Sequence, residues 1–226
     1  AADPRPDAPL AFVPRPAAIS TAPLAASRAA RSLPPVGTTR TFFVSESIIG
    51  TPRYMTPRFT LRAVSPSGHG AIWIDTSASA GTVPLSDADV AAVAADFDRS
   101  YAADTGTFGG TDYGAQAAGN QQHYGTCNPD GSGQGQSMME FVADGVPGVV
   151  DVLVVDDRNL PGYGGYFDGV NFVPQAIANC FPPFGSYHSN ELPIIVVVWN
   201  HASSETFELQ EDLQRSTAHE LQHLIN

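Results

Sequence analysis

Lysine is missing from this sequence: all eleven basic residues are arginine, against 23 Asp and Glu, for a net charge of −12. Nucleic-acid binding draws on clustered cations that release condensed counterions, so no nucleic-acid partner is expected. Long apolar runs are missing too. No 18 consecutive apolar residues occur, so no membrane span is expected. No charged stretch followed by an apolar one opens the chain, so an exported form would already have shed its signal peptide. Cysteine is scarce: Cys127 and Cys180 are the only two, both in loop-like stretches and neither in a CxxC pair. A cysteine zinc site or redox motif is therefore not expected. A Cys127–Cys180 disulfide is, in an oxidising compartment; the alternative is two free thiols.

What is present is enough for a core. Of 226 residues, 42% are hydrophobic and only 15% charged, which suits one large domain. Residues 1–38 are rich in Ala, Pro and Arg without apolar periodicity. Pro4-Arg5-Pro6 and Leu33-Pro34-Pro35 exclude helix interiors and central strands, so this stretch reads as a linker or pro-segment. The folded part, residues 39–226, begins near Thr39.

Thr41–Ser45 is β-rich, Phe59–Val64 alternates as a half-buried strand does, and Ala71–Asp75 continues it across a Ser65-Pro66-Ser67-Gly68 turn. Ser86 is a good N-cap, followed by Asp87 and Asp89 in the first turn. Val90, Val93, Ala94, Phe97 and Tyr101 then give one apolar helix face, and the pattern fails at Gly106. Residues 106–137 and 156–190 read as loops. Val149–Val155 and Ile194–Trp199 are strands, the second nearly all β-branched. A final helix starts between Ser204 and Asp212. The order β-β-β-α-β-β-α suggests an α+β fold, a twisted mixed sheet with helices on one face.

That last helix carries the chemistry. His219-Glu220-Leu221-Gln222-His223 is an HExxH motif, which arises by chance about once in two hundred chains of this composition. At about 100° per residue, His219, His223 and Glu220 share one sector, while Ala218, Leu221 and Ile225 form an apolar back. Two histidines one turn apart can hold zinc, and the glutamate between them can reach a water on the ion and take its proton. This pattern predicts Zn2+ on His219 and His223, Glu220 as general base, and a protein or peptide substrate. A catalytic zinc has three protein ligands. Asn226 stands where the HExxHxxGxxH pattern needs glycine. The upstream histidines, His69, His123, His188 and His201, read as loop or surface residues, so the third ligand is expected downstream.

Three weaker readings accompany the motif. Asp156, Asp157, Asp168 and the loop around Asp130 could ligate Ca2+, though no EF-hand spacing is present. Tyr163, Tyr166 and Tyr187 could supply an oxyanion donor. Ile194–Trp199 is either an edge strand that aligns an extended substrate or a central buried strand.

The segment Thr217–Asn226 resembles the active-site helix of the hyicolysin-like neutral zinc metallopeptidases. Further stretches are similar: Phe42-Phe43-Val44, Thr60–Val64, Ile72–Asp75, Phe97-Asp98, Gly164–Phe167 and Ser189-Asn190-Glu191. The likeness covers roughly residues 40–226. It implies a zincin-like, gluzincin-like N-terminal catalytic subdomain with a backing helix and an active-site helix. It also implies a secreted or cell-surface zinc endopeptidase acting on extracellular proteins, with His219 and His223 as zinc ligands and Glu220 as catalytic base. The family's third ligand is a glutamate on a later helix, so the chain would lack the C-terminal subdomain. The alternatives are a non-catalytic binding or adhesion module on the same scaffold, and an inactive truncated fragment.

Overall fold

The structure is a computed structural model that describes residues 33–47, 51–76, 85–108, 124–125, 138–139, 149–156, 160, 164–172, 175–181, 183, 185–199 and 206–225. Short strands β1 (Thr39–Thr41), β2 (Val44–Ser45) and β3 (Tyr54–Met55) precede the long hairpin of β4 (Arg58–Val64) and β5 (Gly70–Asp75). Where a single β-rich run over Thr41–Ser45 was expected, the chain divides into β1 and β2, which join different sheets. The hairpin turn closes as its sequence predicts. Gly68 N–H donates to the Ser65 carbonyl at 2.8 Å, with Gly68 at φ +81°, a conformation that a side chain would strain.

Helix α1 (Asp87–Phe108) follows. Ser86 caps it: its Oγ accepts from Asp89 N–H at 3.2 Å, and Asp89 Oδ2 accepts from Ser86 N–H at 3.0 Å. This reciprocal pair satisfies two N–H groups that the helix start would leave open. Ser86→Ala is expected to lower stability by about 1 kcal/mol, read by urea unfolding. The helix continues through Gly106 to Phe108, past the point where the apolar pattern fails, because an isolated glycine only weakens a helix already propagating.

Then come β6 (Tyr124–Gly125), β7 (Met138–Met139), β8 (Val150–Asp156), β9 (Gly165–Phe167), a 3-10 turn at Gly169–Phe172, α2 (Gln175–Ala178), β10 (Ile194–Trp199) and α3 (Thr206–Ile225). The region 156–190, expected as loop, thus holds a strand and two short helical turns. Its β9 is only three residues long with two glycines at or beside it, too short a pattern to stand out; pairing with β10 forms it.

Among the described residues six strands make one mixed sheet in the order β1-β4-β5-β8-β10-β9. β5, β8 and β10 run parallel, with α1 as the crossover from β5 to β8, while β1, β4 and β9 are antiparallel to their neighbours. Ile194–Trp199 is therefore an interior strand, and among the described residues the sheet edge next to it is β9.

Both sheet faces are covered. On one, Ile72, Ile74, Val152, Val154, Ile195 and Val197 pack under Val93 and Phe97 of α1 and Leu213, Leu221 and Leu224 of α3. On the other, Phe59, Leu61, Trp73, Leu153 and Val196 pack under Phe42 and Val44. Double burial explains why β10 reads as a continuous apolar run and β8 as one interrupted before its end only by Asp151. The α+β class and the helices on one face are as expected. The folded chain takes in more of the N-terminal arm than residue 39: Leu33 packs on the second face, and Gly37 N–H donates to Leu61 O at 2.8 Å. Residues 1–32 lie outside the described residues.

Candidate metal centre

Helix α3 splits into a buried and an open side. Leu213, Thr217, Leu221 and Leu224 are buried, and Thr217 is accommodated because its hydroxyl donates to the Leu213 carbonyl at 2.7 Å. His219 and His223 are exposed on the open side. Glu220 does not share that open front, as the helix angles suggested. It is only 6% exposed, on the flank of the helix that β9 covers.

The two histidines face each other. Their Nε2 atoms are 3.2 Å apart and their rings are perpendicular, with centroids 4.7 Å apart. A tetrahedral ion with Zn–N bonds of about 2.0–2.1 Å holds two ligating nitrogens about 3.3 Å apart. The Nε2 separation of the pair matches that spacing. Among the described residues no group of three His, Cys, Asp or Glu could hold a metal, so these two histidines have no third partner of those types there.

Burial raises the Glu220 carboxyl above the ordinary carboxylate range, opposed by the neighbouring His219 and His223 and by the Phe167 N–H, which donates to it. A carboxylate that is desolvated yet held by one donor is well suited to accept a proton.

The remaining candidates lie elsewhere. His69 stacks on Tyr101 of α1 with centroids 4.4 Å apart, and His188 stacks on Phe43 at 4.6 Å. Tyr166 points to the second sheet face, where its hydroxyl accepts from Ser45 N–H at 2.8 Å, so it is not an oxyanion donor at this centre. Tyr187 packs edge-on to Phe181. Asp156 is buried at the end of β8, and Asp168 Oδ1 accepts from Val170 N–H at 3.0 Å, closing its own turn. Cys180 follows α2. Cys127, His123, His201, Asp130, Asp157, Tyr163 and Asn226 lie outside the described residues.

Two participants went unread in the sequence: Gly165 and the backbone of Phe167, both against Glu220. The Gly164-Gly165 pair was the available signal, since glycine inside a strand often marks close backbone approach. No protein-family model matches the chain, and no curated protein is significantly similar to it.

Proposed function

We propose that this chain carries the zinc-binding helix and general base of a secreted or cell-surface zinc endopeptidase with a zincin-like, gluzincin-like fold. The spacing of the His219 and His223 Nε2 atoms, with a buried carboxylate on the intervening residue, carries this reading. Zinc, when bound, polarises a peptide carbonyl and makes a water acidic enough to attack it near neutral pH. His219 and His223 hold the ion. Glu220 takes the proton of the attacking water at its carboxylate and passes it to the leaving amine. A catalytic zinc requires a third protein ligand, which no group among the described residues supplies.

The test is metal analysis of the full-length protein. The expected result is about one zinc per molecule, lost together with peptidase activity on chelation and restored by added zinc. His219→Ala or His223→Ala is expected to lower zinc content at least about tenfold after dialysis. A folded protein that retains no zinc after incubation with an excess of it would sink the proposal and leave a binding module on the same scaffold.

A further inference from the structure

The backbone of β9 meets Glu220 at two points. A Cβ placed on Gly165 would lie 3.2 Å from Glu220 Cγ, 3.4 Å from its Oε1 and 2.8 Å from the Val196 carbonyl oxygen. Two residues on, the Phe167 N–H donates to the Glu220 carboxylate. Strand register explains why that N–H is available. Val198 N–H donates to the Gly164 carbonyl at 3.0 Å, and Gly165 lies opposite Val197. In an antiparallel ladder, directly opposed residues alternate between exchanging hydrogen bonds and not. Gly164 and Tyr166 therefore bond to β10, while Gly165 and Phe167 turn their N–H and C=O groups outward, off the sheet edge.

We propose that β9 is the seat of Glu220. The missing side chain at Gly165 admits the carboxylate against the strand, and the outward N–H of Phe167 fixes its orientation. Gly165 is thereby a positioning residue. A methyl group there collides with the Val196 carbonyl, which cannot yield without disturbing the β9–β10 pairing, and with the Glu220 stem. Either the strand lifts or the glutamate turns, and both separate the carboxylate from the Phe167 N–H. Gly164 is different: it is exposed, and a Cβ there meets only Ser216 Oγ at 3.4 Å, an ordinary contact. The seat matters because a glutamate free to change rotamer would spend part of its time away from the reacting water. Its catalytic consequence rests on the peptidase reading; its geometry does not.

Two measurements on the full-length protein test this. Hydrogen exchange followed by NMR should show the Phe167 amide protected at least about tenfold over an unpaired edge amide, as a hydrogen-bonded group is. The protection should vanish in Glu220→Ala and fall in Gly165→Ala, while the Tyr166 amide, inside the ladder, stays protected and reports an intact fold. Gly164→Ala should change neither. A Phe167 amide unprotected in the parent protein, or still protected in Glu220→Ala, overturns the proposal, and this arm decides even if Gly165→Ala does not fold. In kinetics at matched zinc content, Gly165→Ala should lower kcat about tenfold or more with KM little changed. A loss confined to KM overturns it, because it would make Gly165 a substrate contact. Failure of the peptidase reading shows separately. A protein without zinc or activity, but with Phe167 protection that depends on Glu220, would sink that reading and support the seat.

Discussion

Glu220→Gln is expected to lower kcat about a thousandfold while leaving zinc content unchanged, because glutamine keeps the shape of the side chain and loses only the ability to take a proton. The substitution is clean for two structural reasons. Glu220 is buried, so a shorter residue would leave a gap under β9, whereas glutamine fills the same volume. Its amide oxygen can also still accept from the Phe167 N–H, which holds the carboxylate in the parent protein. His219 and His223 keep their facing Nε2 atoms on the open side of the helix, so metal binding should be independent of the change. The measurement is steady-state cleavage of an unstructured protein substrate, with zinc determined on the same samples. Activity within about tenfold of the parent would give the base role to another group, since general-base catalysis is worth more than that.

The largest expected effect on stability comes from Asp151, which bonds to Trp73 on the sheet face opposite α3. It sits in β8 on the second sheet face, 8% exposed, and accepts from Trp73 Nε1–H at 2.6 Å. Burial pushes its carboxyl up to about 6, against the Trp73 hydrogen bond and the Arg40 charge, which both pull it down. Arg40 reaches over this site from β1, its Cζ 5.8 Å from the centre of the Trp73 ring. The folded-state pKa is raised above the unfolded value, so the favourable contribution is fully present only below the ordinary carboxylate range. It is lost as pH rises through about 6, where the folded state must ionise a buried group. A shift of this size corresponds to roughly 3 kcal/mol across the whole window. Between pH 4 and pH 7.5 the parent protein is expected to lose about 2 kcal/mol through this group. Other carboxylates titrate in the same range, so the quantity to measure is a difference. Urea unfolding of Asp151→Asn and of the parent should diverge by about 2 kcal/mol in the variant's favour as pH rises from 4 to 7.5. Asparagine retains an acceptor for Trp73 and cannot ionise. Parallel stability profiles for the two proteins would show that Asp151 is ionised without cost in the folded state.

Much of the architecture was legible in advance because it rests on local pattern. The Ser86 cap, the Gly68 turn and the β-branched run Ile194–Trp199 each specify their element within a few residues, and the structure places all three accordingly. Helix periodicity likewise brings His219 and His223 to one open face. The sequence by itself therefore determined the α+β class, the helical setting of the HExxH motif and the facing of its two imidazoles.

Whether β10 is an edge or an interior strand could not be settled that way, since a continuous apolar run says only that both faces are buried. The answer lies in β9, a three-residue strand too short to be seen alone, which pairs with β10 on the side away from β8. That one pairing also decides the environment of Glu220. Helix angles put its side chain in one sector with His219 and His223 and do not show the strand that covers it. The close approach of Gly165 and the outward N–H of Phe167 put it on the buried side. Only the tertiary structure decided this, because β9 and Glu220 are about fifty residues apart and meet through the sheet and the helix packed beneath it.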